Sequence, residues 1–224
     1  MAKLSPVAFP QPVSPAIASY AYTDIAEGTG IVLFYGASNH ANGTTDYILT
    51  TNTPYSSRIV VSGAQITADG TFGQIATQDY DITFNHPQNI KGTAYLNISI
   101  GGYSITTATG NKVWLSGAIL QKYDGSTTTT LVAVSGAVVN ITPANQVVSA
   151  TQFLPLALTG TTHFKAGDTL RLSLDLWGYN GAGDLSHGGW GSDPADRNDP
   201  GAKTIADTDT TKLELYIPFL LNTV

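Results

Sequence analysis

Leu170, Leu172, Leu174 and Leu176 alternate with Thr169, Arg171, Ser173 and Asp175, a period of two that puts one apolar face and one polar face on a strand. Leu213, Leu215, Ile217 and Phe219 alternate in the same way with Lys212, Glu214 and Tyr216. So do Ala94, Leu96, Ile98 and Ile100 with Thr93, Tyr95, Asn97 and Ser99. Further strands are predicted at 31–36, 46–50, 57–66, 79–84, 112–123, 130–139 and 147–158, and no stretch of ten residues carries a 3.6-residue period. Between them, ADGT, YDGST, GYNGAGD and NDPG bring the Gly, Asn and Asp residues that tolerate tight turns. Many short strands with such punctuation predict a β-sandwich. "SGA" recurs at Ser62, Ser116 and Ser135, but at unequal spacing, so it reads as shared strand chemistry and not as a repeat.

The first fifteen residues break the pattern. Pro6, Pro10, Pro12 and Pro15 fix φ and remove backbone donors, so the segment can neither nucleate a helix nor join a central strand. It reads either as a free tail or as an extended arm along a neighbouring subunit, with Val7, Phe9 and Val13 as its apolar contacts. The expected organisation is an arm at 1–24 and one sandwich domain at 25–224, long enough for a substantial core. Those early prolines also interrupt any apolar run of the secretory kind, so no signal peptide is expected.

Composition narrows the function classes. Only 12% of the 224 residues are charged, and Thr, Ser, Gly and Ala are abundant, so polar surface must come mainly from hydroxyls and amides. A net charge of −6 with no run of Lys or Arg speaks against a direct nucleic-acid partner and against an anionic membrane. The absence of cysteine removes disulfides, thiolate metal sites and cysteine nucleophiles. Three sequons, at Asn42, Asn97 and Asn140, are expected by chance in a Thr-rich chain.

Candidate chemistry is sparse. His40, His86, His163 and His187 are far apart in sequence and form no zinc-binding pair. There is no G-x-S-x-G elbow and no phosphate-binding glycine loop. Seven of the sixteen acids lie between Asp184 and Glu214, against three basic residues. Within that stretch Asp193, Asp196, Asn198 and Asp199 could supply oxygens to calcium, although their order matches no known loop signature and suits ordinary turns equally. Trp177, Tyr179 and Trp190 lie near them in sequence and suggest either a carbohydrate-binding surface or packing at a sheet edge or subunit contact.

The stretch HFKAGDTLRLSLDLWGYNG (163–181) has the form of a short apolar element, a tight turn and a strand of alternating leucines. It resembles the hairpin of jelly-roll subunits in tumour necrosis factor and complement-type trimers, where an "aGD" turn introduces a late core strand. Ala166, Gly167 and Asp168 match that turn, Thr169 to Leu176 the strand, and Lys212 to Phe219 the final strand. With its Pro-rich arm and cysteine-free, charge-poor composition, the chain is similar to tailed-bacteriophage capsid decoration (cement) proteins. The resemblance implies an all-β jelly-roll sandwich with an extended N-terminal arm. It implies a homotrimer on the outer capsid surface of the virion, bound to the major capsid protein lattice through Pro6, Val7, Phe9, Pro10, Pro12, Val13 and Pro15. No catalytic residue, cofactor or membrane enters that picture. The rival expectation is a receptor- or carbohydrate-binding head of a phage fibre or spike, using Trp177, Trp190, Asp193, Asp196 and Asp199.

Overall fold

The computed structural model describes residues 18–19, 29–41, 44–54, 60–63, 65–104, 110–142, 146–181, 185–195 and 211–220. The arm residues Pro6 to Pro15 lie outside them. Fifteen strands run through the described residues, with no helix: β1 (Ala18–Ser19), β2 (Thr29–Ala41), β3 (Thr44–Thr50), β4 (Val60–Ser62), β5 (Thr71–Thr83), β6 (Gln88–Ile90), β7 (Thr93–Ser104), β8 (Asn111–Tyr123), β9 (Thr128–Val134), β10 (Val139–Ile141), β11 (Val147–Ala157), β12 (Thr162–Phe164), β13 (Thr169–Asn180), β14 (Leu185–Gly191) and β15 (Leu213–Leu220).

Eight of these strands build the sandwich. One sheet is ordered β2–β15–β7–β11 and the other β5–β13–β8–β9, with every neighbouring pair antiparallel. Numbered one to eight along the chain, the strands of the sheets read 1-8-3-6 and 2-7-4-5, the interleaving of two Greek keys that defines a jelly roll. The β-sandwich predicted from the strand pattern is therefore the fold, with the jelly-roll topology that the resemblance implied.

The alternating leucines explain the layering. Leu170, Leu172, Leu174 and Leu176 are fully buried, and so are Leu96, Ile98 and Ile100 of the facing sheet. Each such side chain contributes about 1.5–3 kcal/mol on burial. A register slip of one residue would expose all four leucines, so the pairing of β13 is firmly specified. At one end Phe84, Phe164 and Phe219 pack edge to face, with Phe84 5.2 Å from Phe164 and 5.9 Å from Phe219.

Both sides of the sandwich are closed by specific contacts. On one, β3 forms a hairpin with β2 and touches β5 in parallel at Ile48 and Asp81. On the other, buried Gln152 of β11 reaches the opposite layer, accepting from Ala137 N–H at 3.0 Å and donating to Ala137 C=O at 2.7 Å. An amide side chain thus replaces a strand neighbour.

The AGD turn forms as its residues require. Gly167 has φ +92°, and the Asp168 carboxylate accepts the Lys165 N–H at 2.7 Å. Lys122 Nζ lies 2.8 Å from the same carboxylate, tying the turn to β8. Donation from Lys122, then from the Lys165 amide, holds the Asp168 carboxyl below the usual carboxylate range. Lys165 itself is exposed at the tip.

Candidate binding surface

The outer face of the β5–β13–β8 sheet carries two groups of side chains, one ionic and one aromatic. On β13 the outward residues run Arg171, Ser173, Asp175, Trp177 and Tyr179, between the fully buried leucines. Asp81, Asp79 and Thr77 of β5 stand opposite the first three. Gln121, Ile119 and Gly117 of β8 stand opposite them on the other side.

The register then shifts on both flanks of β13. On β5, Leu176 pairs with Ala76 but Trp177 with Gln74, leaving Ile75 as an inserted residue. On β8, Asp175 pairs with Gly117 but Leu176 with Leu115, leaving Ser116 inserted. Each bulge adds one residue and so reverses which side chains point out. Beyond them Ile75, Leu115 and Val113 are buried, while Gln74, Phe72, Trp114 and Lys112 turn outward beside Trp177 and Tyr179. The surface is thus created by two bulges at one level of the sheet.

The ionic end is a closed network. Arg171 donates through Nε to Asp81 Oδ1 at 2.8 Å and through Nη2 to Asp81 Oδ2 at 2.7 Å, and its Nη1 lies 3.2 Å from Asp79. Its guanidinium sits 5.5 Å from the Tyr123 ring centroid. The Asp81 carboxylate raises the Arg171 pKa above its ordinary value. These groups satisfy one another at a half-exposed site, where an ion pair is worth about 0–1 kcal/mol. The partners of Arg171 are therefore on β5, and Asp175 belongs to the other group.

The aromatic end is open. Phe72 is 66% exposed, its ring 4.7 Å from Tyr179 and 6.1 Å from Trp114, which it meets at 80°. Trp177 lies directly opposite Trp114 across the β13–β8 pair. Asp175 is oriented from two sides: Trp177 Nε1 donates to Oδ2 at 2.8 Å and Gln74 Nε2 to Oδ1 at 2.7 Å. Lys112 Nζ stands 6.0 Å from the Tyr179 centroid.

Trp190 corrects the expected glycan surface. It is 0% exposed, and its Nε1 donates at 3.0 Å to the hydroxyl of Tyr80, which donates to Ser192 Oγ at 3.0 Å. Burial pushes the Tyr80 pKa well above its ordinary value. An indole enclosed in the core and tied by its N–H to a second buried ring cannot stack on a sugar. Asp193 is buried too, its carboxylate accepting the Ala195 N–H at 3.2 Å in a local turn. Asp196, Asn198 and Asp199 lie outside the described residues, as does most of the acidic stretch. Among the described residues no three His, Asp or Glu side chains group as a metal site would require. The residues overlooked in the sequence are Phe72, Gln74 and Trp114, over a hundred positions from Trp177 or on another strand, and brought to it only by pairing.

The outer face of the other sheet is different in character. Phe153 of β11 is 61% exposed and stacks on Tyr95 of β7 at 5.1 Å and 16°. Beside them the Ser99 and Thr151 hydroxyls bond at 2.9 Å. Glu214, largely buried, accepts from Asn97 Nδ2 and from the Tyr216 hydroxyl, both at 3.0 Å. Burial, and then that bond to Glu214, push the Tyr216 pKa up to about 12.

No protein-family model matches the chain, and no curated protein does. Solved structures that it matches include a CocE/NonD family hydrolase from Staphylococcus aureus, at 13% identity and TM-score 0.38 over 86% of this chain and 37% of that one. Another is the Eiger TNF of S. frugiperda, at 11% identity and TM-score 0.29 over 84% of this chain and 91% of that one. A third is infectious bursal disease virus, Gt strain, at 9% identity and TM-score 0.27 over 85% of this chain and 39% of that one. The chain spans just over a third of the hydrolase. The expectation that the chain is no enzyme is corrected here, because hydrolases stand among the matched structures beside TNF-like and viral ones. TM-scores this low carry no argument for hydrolysis, or for any other activity.

Proposed function

We propose that the chain is a structural jelly-roll subunit of a virion, decorating and stabilising the outer capsid shell as a homotrimer. The observation that carries this reading is the outer face of the β2–β15–β7–β11 sheet. There Phe153 stands exposed, stacked on half-buried Tyr95, among hydroxyl and amide groups, with the nearby carboxylate of Glu214 already engaged by Asn97 and Tyr216. A large ring held against solvent on an edge strand is a standing gain for association, since covering it contributes about 1.5–3 kcal/mol per subunit. A ring of three heterologous contacts uses each such face once and closes without leaving an open edge. The charge-poor composition supports the same reading, because close packing against a lattice then desolvates few ions. The proline-rich arm at 1–24 would provide the reach toward the capsid protein, fifteen extended residues spanning on the order of 45 Å.

Light scattering coupled to size exclusion tests the trimer on the full chain. Wild type is expected to elute as a trimer and Phe153→Ser as a monomer with an unchanged circular dichroism spectrum. A monomeric wild type at tens of micromolar would overturn the self-association face. For the shell role, quantitative mass spectrometry of purified particles is expected to give hundreds of copies per virion, as a lattice component requires. A few copies per particle would assign the chain to a tail or fibre instead.

A further inference from the structure

We infer that the Phe72, Trp114, Trp177 and Tyr179 patch on the outer face of the β5–β13–β8 sheet binds a neutral polysaccharide of β-linked pyranose units. In this inference Asp175, Gln74 and Lys112 take the sugar hydroxyls. It stands independently of the shell reading, which uses the opposite sheet.

The patch takes no part in the core of the sandwich it sits on, although its rings pair across the strands. Its rings lie on the far side of β13 from the buried leucines, and Phe72 leaves most of its surface in water. Two bulges at the same level are required to present it. The near-perpendicular meeting of Phe72 and Trp114 leaves a step, into which the C–H face of a pyranose can lie on one ring with its edge against the other.

The polar groups around the rings select the ligand class. Asp175 has one donor on each carboxylate oxygen, Gln74 on one and Trp177 on the other. Each oxygen keeps a further lone pair, so the carboxylate is an aimed pair of acceptors spaced for neighbouring hydroxyls. Lys112 adds donors at the far edge, and its charge offsets that of Asp175, so neither an anionic nor a cationic ligand is favoured. An apolar protein face laid over this patch would desolvate a carboxylate and an ammonium without replacing their hydrogen bonds, which is costly. A sugar replaces those bonds while its C–H faces cover the rings. The strand-lined surface suits an extended chain whose substituents project sideways, as in β-linked glucose or N-acetylglucosamine polymers.

Calorimetric titration of the full chain with cellohexaose and with chitohexaose tests the site, with maltohexaose as the α-linked control. Saturable binding of at least one β-linked hexasaccharide is expected, together with a change in tryptophan emission, since Trp114 and Trp177 are half-exposed. Phe72→Ala and Asp175→Asn should each weaken it about 10-fold or more, the equivalent of about 1.4 kcal/mol. Phe153→Ser, on the other sheet, should bind as wild type. The inference is overturned by the absence of heat and emission change with either β-linked probe at about 10 mM, where even millimolar affinity would register. It is equally overturned if binding survives Phe72→Ala, or if Phe72→Ala dissociates the oligomer or releases the protein from particles, outcomes that would make the patch a protein contact. A monomeric wild type that still binds the sugar would reject the shell reading alone.

Discussion

Trp190 and Tyr80 offer a quantitative test of how the core is held. Both are 0% exposed, and the indole N–H donates to the phenol oxygen at 3.0 Å while the phenol donates to Ser192. Tyr80→Phe removes both hydrogen bonds of the phenol and leaves the indole N–H, the only donor on that side chain, buried without a partner. The lost bond to Ser192 costs about 1 kcal/mol and the stranded indole donor about 1–3 kcal/mol, so about 2–4 kcal/mol in all. Trp190→Phe removes the donor itself, leaves Tyr80 bonded to Ser192, and costs about 1–3 kcal/mol, mainly through the smaller ring. In the double variant no indole remains to be stranded, so its loss should fall short of the sum by about 1–3 kcal/mol. Equilibrium urea unfolding of all four proteins by far-ultraviolet circular dichroism measures this. For Tyr80→Phe the midpoint should drop by about 1 M urea, given a slope near the upper end of about 1–3 kcal/mol per molar. Additivity to within about 0.5 kcal/mol would refute the reasoning, because it would mean that the two groups do not depend on each other.

Two further outcomes follow from single side chains. The Asp168 carboxyl has a folded pKa held below its unfolded value of about 3.9, so its contribution is complete above that pH and disappears as the pH falls through the folded value. Asp168→Asn should therefore be less stable than wild type at neutral pH, yet flatter in urea midpoint below about pH 4; parallel curves for the two proteins would count against the Lys122 pairing. Gln152→Ala should cost about 1–2 kcal/mol through its two bonds to Ala137, and the Ala137 amide should exchange with deuterium faster. Unchanged protection of that amide would show that the side chain does not close the sandwich.

The sequence carried the long strands plainly, because one-sided burial writes a period of two into β7, β13 and β15, and the AGD turn needs the residues that spell it. It carried the patch poorly. A bulge interrupts alternation, so in KVWLSGAIL the buried positions Val113 and Leu115 are out of phase with Ala118 and Leu120, and only pairing with β13 shows that one residue has been inserted. β14 was missed for a different reason. Its LSHGGWG reads as a turn, but the glycines serve close approach: a Cβ on Gly191 would lie within 2.5 Å of the Thr211 backbone, and one on Gly188 would lie 2.6 Å from Ile75. Trp190 accordingly looked like a loop aromatic when it is a strand residue facing inward. Arg171 and Asp175 share the polar face of one strand, but cross-strand partners decide their roles, and those are set by long-range register.

The paired bulges also say something about how this surface can change through descent. Substitutions alter one side chain at a time, and none of them could carry Trp114 and Lys112 together from one side of β8 to the other. Loss of the bulge at unchanged length would do so, since regular alternation from Gly117 would turn Leu115 and Val113 outward and fold Trp114 and Lys112 inward. Deletion of the inserted Ser116, by contrast, leaves Leu115 opposite Leu176 and Trp114 outward. The patch is thus inherited as a matter of phase more than of residue identity. Lineages that drop the inserted residue of β5 or β8 would keep the same face on straighter strands, while those that keep the length must keep the bulge to keep the aromatics outward.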